Sequence, residues 1–258
     1  MKDDIKRGLV NMKFKKFLRL TGIILLSIIL MALLGLAVWS KTGTYPAGPV
    51  ALSALESSEG VTVTRGKTIV FEPAQDAEIG LIFYPGGLVE PAAYAPVIKQ
   101  LAENGVFAVI TPMPFNLAIF NPGAANAVME QYPRISTWIL AGHSLGGAAA
   151  AIFAHNNPQK IAALALWDSY PPDSADLSDA NLPVLSIFGA TNGFPNTANF
   201  NGKRHLLPVD TVFVPIEGAN HAQFGDYGPQ KNDVAAVISL AEQHEKVTGV
   251  MLDFIFMD

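Results

Sequence analysis

Short runs of consecutive apolar residues recur along most of this chain, separated by stretches of helical length, and they constrain the fold more than any other feature. LIFY (81–84), FAVI (107–110) and ALALW (163–167) do not alternate with polar residues. Strands of that kind are buried on both faces, as in a parallel sheet covered by helices, whereas a strand with one wet face alternates. Strand candidates are Val61–Thr64, Thr68–Phe71, Gly80–Tyr84, Val106–Thr111, Ser136–Ala141, Ile161–Trp167, Val184–Phe188 and Thr211–Ile216. Helical length and spacing fall at Pro91–Asn104, Ala124–Tyr132, Ser144–Asn156 and Asp233–Val247. The alternation predicts an α/β domain with a doubly wound, mostly parallel sheet of about 200 residues, over 61–258. No internal repeat is visible, and one domain is the better count.

Ahead of that domain the chain obeys a different rule. Residues 20–39, LTGIILLSIILMALLGLAVW, hold no charge. At 1.5 Å per residue, a helix of that length spans about 30 Å, the thickness of a bilayer core. Lys2, Lys6, Arg7, Lys13, Lys15, Lys16 and Arg19 all precede it. The positive-inside rule then keeps the basic segment 1–19 in the cytoplasm and exports the chain beyond the span. The expectation is a single-pass signal anchor at the cell membrane, carrying an extracellular domain. Its rival is a cleaved signal peptide and a secreted domain. The apolar core is longer than the roughly 7–15 residues of a signal, and Ala37-Val38-Trp39 is a poor cleavage sequence, although small residues recur at Ala47, Ala51 and Ala54. Residues 40–60, rich in Gly, Pro, Ser and Ala, read as a linker or an extended lead-in.

Charge and composition remove several classes of function. Residues 1–39 carry seven basic and two acidic side chains, which leaves ten basic and twenty acidic ones in the rest of the chain. An acidic body repels a phosphate backbone, so no nucleic-acid partner is expected. There is no cysteine, hence no disulfide, no thiolate metal site and no cysteine nucleophile. Chemistry must come from oxygen and imidazole groups.

In a doubly wound sheet, ligands bind beyond the carboxyl ends of the strands. There, after the strand STWILA, stands Gly142-His143-Ser144-Leu145-Gly146-Gly147, followed by a helix of small residues. This is Gly-x-Ser-x-Gly between a buried strand and a helix. A sharp turn of that kind strains the serine, and side chains at the flanking positions would collide with neighbouring backbone. The helix N-terminus directs free N–H groups towards the serine. Ser144 is therefore the expected nucleophile, and the amide of Leu145 one oxyanion donor. The second donor is expected in the glycine turn Tyr84-Pro85-Gly86-Gly87-Leu88, at Gly87 with Leu88 next. His221 follows the last strand and is placed to act as general base. The other histidines carry blander expectations: packing or support for His143, a helix end for His155, and solvated positions for His205 and His244.

With these blocks, YPGG at Tyr84–Gly87, GHSLGG at Gly142–Gly147 and HAQFGDYGPQ at His221–Gln230, the chain resembles the α/β-hydrolase superfamily. It looks closest to a bacterial exported or membrane-anchored group, over roughly Val61 to Glu245. The resemblance implies a serine hydrolase acting on a small-molecule ester or related acyl compound, with no metal and no organic cofactor. It names no substrate, because this fold hosts many. One position departs from the pattern. The family usually carries the triad acid after the strand LPVLSIFG, where this chain has Gly189-Ala190-Thr191-Asn192-Gly193. Asn192 can orient a histidine but cannot stabilise an imidazolium as a carboxylate does. Asp168, after the neighbouring strand IAALALW, is the other candidate, with Asp210 and Asp226 behind it; its bland reading is a turn residue before Ser169-Tyr170-Pro171-Pro172. The choice between Asp168 and Asn192 stays open. So does a second function, a degenerate hydrolase fold retained as a binding module, of which Asn192 would be the trace. Polar loops at 173–181 and 194–203 are the expected rim, and no long apolar lid insertion is visible. The apolar tail GVMLDFIFMD is expected to pack on the domain, with a membrane contact or self-association as alternatives. The oligomeric state is not written in the sequence.

Overall fold

The computed structural model describes residues 2–190 and 197–257 and divides between Gly43 and Thr44 into two compact units. The first is one helix, α1 (Lys2–Gly43). Within it, Lys15–Gly43 is long and apolar enough to cross a membrane, with a mean hydropathy of 2.7. The basic segment and the apolar span therefore belong to one continuous helix, which runs past residue 39 into the stretch read as a linker.

The second unit shows that the rest of that stretch is folded as well. It opens on a bridge between Tyr45 and Val89 and on a short helix, α2 (Pro49–Ala54), whose Ala51 is fully buried. Proline at the first turn supplies the φ that a helix start needs, so the Gly-Pro composition here marks a tight path.

Eight strands come next in one sheet: β1 (Val61–Arg65), β2 (Ile69–Pro73), β3 (Ile79–Tyr84), β4 (Phe107–Ile110), β5 (Thr137–His143), β6 (Ala163–Trp167), β7 (Val184–Gly189) and β8 (Val212–Ile216). Their order is β1-β2-β4-β3-β5-β6-β7-β8. The β1–β2 and β2–β4 pairs are antiparallel, and all pairs from β4 to β8 are parallel. This is the doubly wound, mostly parallel sheet that the apolar runs predict. The helices that cover it are α3 (Ala95–Glu103), α4 (Ala124–Gln131), α5 (Leu145–Asn156), α6 (Thr197–Lys203) and α7 (Leu240–Ile255). Alternation along each strand divides the core in two. Leu81 and Phe83 of β3 join Val97 and Leu101 of α3 and Met251 of α7; Ile82 and Tyr84 join Val128 of α4 and Phe153 of α5.

The expected helix at Asp233–Val247 is displaced. Residues 233–239 are not helical; the helix starts at Leu240 because the Ser239 side chain accepts the Glu242 N–H at 3.1 Å. That Ser-x-x-Glu start is a capping signal in the sequence itself. The helix then runs to Ile255, so Met251, Phe254 and Ile255 of the apolar tail are buried in the core. Of the expected rim, residues 197–203 form α6, while Phe194–Asn196 lie outside the described residues.

Candidate active site

The carboxyl ends of β3, β5 and β6 lie side by side, since Tyr84 pairs with Gly142 and His143 with Trp167. Three loops leave from there: Pro85–Leu88, the turn at Ser144, and the turn at Asp168.

Ser144 sits between β5 and α5 with φ 52° and ψ −122°. A positive φ costs a residue with a side chain about 1 kcal/mol or more, and the neighbours show what holds it there. Ser144 N–H donates to the Trp167 carbonyl at 3.0 Å, and the Ser169 hydroxyl donates to the Ser144 carbonyl at 2.6 Å. The glycines make the turn possible by close approach. A Cβ on Gly142 would lie 2.6 Å from the Gly146 carbonyl, and one on Gly147 would lie 2.5 Å from the Ser169 hydroxyl. Leu145 begins α5, so its N–H has no acceptor within the helix.

The glycine turn after β3 leaves one amide uncommitted. Gly86 N–H donates to the Tyr94 hydroxyl at 3.0 Å and Leu88 N–H to the Asn116 carbonyl at 2.8 Å, whereas Gly87 N–H has no acceptor among the described residues. Gly87 also packs on the first residue of α5: a Cβ there would stand 2.9 Å from Leu145 Cδ2. The amides of Gly87 and Leu145 thus belong to adjoining residues. Leu88, the second choice for this role, has its N–H committed elsewhere.

Beside them, His221 Nδ1 is 2.5 Å from Asp168 Oδ2, and both side chains are almost fully buried. Asp168 is itself a residue of positive φ, 44°, a conformation that Asp and Asn tolerate best among residues with a side chain. Its N–H donates to the Ile187 carbonyl at 2.7 Å. Burial pushes its carboxyl up from the ordinary carboxylate range, while hydrogen bonds from His221 and the Gly189 amide oppose that shift. The other carboxylates lie elsewhere: Asp210 is exposed, and Asp226 accepts the Ala51 N–H at 2.8 Å. Asn192 lies outside the described residues.

His143 is fully buried beneath this group. Its ring lies 4.4 Å from that of His221, and its Nδ1 is 2.8 Å from the Tyr94 hydroxyl. Burial holds its pKa well below the ordinary value, and any positive charge on the neighbouring His221 ring lowers it further, so it is neutral. The remaining histidines differ from expectation in part. His205 is exposed, and His155 stands in the last turn of α5, where its ring bonds the Asp176 carbonyl at 2.7 Å. His244 is not solvated: it lies on the buried side of α7, and burial lowers its pKa to about 4. Tyr94 and Ser169 had no signal in the sequence, because their roles come from elements that meet only after folding. No cluster of three metal-binding side chains occurs among the described residues.

A mostly parallel α/β sheet with a strained serine on the turn after its central strand, and a buried His–Asp pair on the neighbouring turns, defines a class of hydrolytic folds. The alpha/beta hydrolase family is matched over residues 80–245. The chain belongs to that family. Among solved structures, it is similar to Est1E from Butyrivibrio proteoclasticus, at 15% identity and a TM-score of 0.55, over 76% of this chain and 99% of that one. It is similar to dienelactone hydrolase from Anabaena variabilis, at 17% identity and a TM-score of 0.56, over 75% and 98%. It is also similar to naproxen esterase (carboxylesterase NP) from Bacillus subtilis, at 14% identity and a TM-score of 0.54, over 78% and 94%. No curated protein is matched by sequence.

Proposed function

We propose that this chain is a membrane-anchored serine hydrolase that cleaves an ester or related acyl bond through an acyl-enzyme. The observation that carries the reading is the buried hydrogen bond between His221 Nδ1 and Asp168 Oδ2, one strand end away from a serine with φ 52°. Ser144 Oγ attacks the acyl carbon while its proton passes to His221 Nε2. The Gly87 and Leu145 amides hold the oxygen that becomes negative, and Asp168 stabilises the imidazolium. Collapse breaks the bond to the leaving group, which takes the proton from His221. Water, deprotonated by the same nitrogen, then releases the acid and restores Ser144. The esterase and the dienelactone hydrolase among the similar folds accord with acyl chemistry of this kind. The seven basic residues before the apolar span favour a cytoplasmic N-terminus and an exported catalytic unit; added protease on intact cells should reach that unit and leave residues 1–19 intact.

The test is fluorophosphonate labelling of the full chain in detergent, beside Ser144→Ala. The expected result is a labelled wild type and an unlabelled variant. A folded wild type that takes no label overturns the mechanism and leaves a binding module as the better reading.

A further inference from the structure

The segment after α1 in sequence is bonded to both loops of the candidate site. At its start, Tyr45 N–H donates to the Leu88 carbonyl at 2.7 Å and the Tyr45 carbonyl accepts the Glu90 N–H at 2.9 Å. The Glu90 carboxylate then accepts the Ala47 N–H at 2.8 Å. One residue further, the direction of bonding changes loops. Gly48 N–H donates to the Asp226 carbonyl at 2.6 Å, and the Asp226 carboxylate accepts the Ala51 N–H at 2.8 Å. Gly48 has no room for a Cβ against that carboxylate. The Tyr45 ring also lies 5.8 Å from that of Tyr227.

Two carboxylates thus receive amides of one strap, those of Ala47 and Ala51. Glu90 stands two residues beyond Leu88 in the oxyanion loop; Asp226 stands five beyond His221. Neither touches the reacting atoms. A direct bond from Asp226 N–H to the Ala93 carbonyl, at 2.8 Å, ties the second loop to the helical turn Pro91–Tyr94 that follows Glu90. Bridging loops that otherwise diverge from separate strands removes their independent motion, and the geometry of an oxyanion donor against a base is sensitive to displacements of about 1 Å.

Given the hydrolase mechanism, we propose that residues 44–54 are a clamp that fixes the Gly87 amide relative to His221, and that Glu90 and Asp226 are its positioning residues. The clamp also lies across Ala47, Ala51 and Ala54, the small residues at which a signal peptide would be cut, so cleavage there would open it.

The experiment compares full-chain Glu90→Ala, Asp226→Ala and the double variant with Glu90→Gln and Asp226→Asn, whose side-chain carbonyls still accept a hydrogen bond. Each alanine variant should lower kcat for a soluble ester, and the rate of fluorophosphonate labelling, by about tenfold with KM little changed. The amide variants should recover most of that rate, and the double variant should be no slower than about one single variant. Hydrogen exchange gives a readout that does not need activity: Asp226→Ala should speed exchange at 86–90, and Glu90→Ala at 221–231, across the clamp from each change. Exchange confined to the mutated loop, or alanine variants that label at the wild-type rate, would overturn the clamp. A wild type that takes no label, with alanine variants that still speed exchange across the clamp, keeps the clamp and discards the hydrolase.

Discussion

Replacing Asp168 by asparagine isolates the charge of the buried pair from its shape. Asparagine is nearly isosteric with aspartate and tolerates a φ of 44° equally well, so the backbone turn after β6 should survive. What changes is the group facing His221 Nδ1, at 2.5 Å. If the new amide turns its NH2 to Nδ1, it forces the ring proton onto Nε2 and removes the lone pair that must accept the Ser144 proton. If it turns its oxygen, orientation survives but the charge that stabilises the imidazolium does not. Asp168 is only 5% exposed, so water cannot replace the lost charge. The same change in a serine-protease triad costs about 10⁴-fold in kcat, which corresponds to roughly 5 kcal/mol of barrier. Here kcat should fall by about 10³–10⁴-fold, with KM within a few-fold, since the carboxylate never meets the substrate. The assay is ester hydrolysis by the full chain in detergent, with circular dichroism to establish folding. Asn192→Ala serves as the parallel arm, because the family usually carries its acid at that turn. A kcat within about tenfold of wild type for Asp168→Asn, or a comparable loss for Asn192→Ala, would refute the assignment of Asp168 as the partner of His221.

Packing and titration supply two further expected outcomes. A Cβ on Gly146 would strike the carbonyl oxygens of Tyr84 and Pro85; these are backbone atoms and cannot swing away, so Gly146→Ala should destabilise the domain by about 3 kcal/mol, and an unchanged urea midpoint would contradict that. His244, lowered to about 4 in the fold, binds fewer protons folded than unfolded. Its stabilisation is complete above its unfolded pKa near 6.5 and is lost as pH falls towards about 4, an effect on the order of 3 kcal/mol. Urea unfolding between about pH 7 and pH 4.5 should show the decline, with a shallower slope in His244→Gln.

The sequence determined the elements whose signal is local. Uninterrupted apolar runs such as FAVI can be satisfied only by burial on both faces, and burial in β4 is complete. The strain at Ser144 was legible for the same reason, because Gly142, Gly146 and Gly147 are chain neighbours of the residue they accommodate. The start of α7 is the exception: helical spacing from Asp233 hid the cap that Ser239 and Glu242 form ahead of Leu240.

Tertiary structure decided what depends on distant meetings. Whether Asp168 is a turn residue or the partner of His221 turns on the order β5-β6-β7 and on where the loop after β8 returns, which no spacing between residues 168 and 221 encodes. The burial of His244 and the hydrogen bond of Tyr94 to Gly86 have the same origin. The clearest case is 44–54, within the stretch 40–60 whose Gly, Pro, Ser and Ala content reads as a linker or lead-in, yet whose backbone is bonded to two loops of the domain. Composition sets which backbone conformations are cheap; hydrogen bonds to Glu90 and Asp226, groups 43 and 175 residues away from their donors, decide which one is adopted.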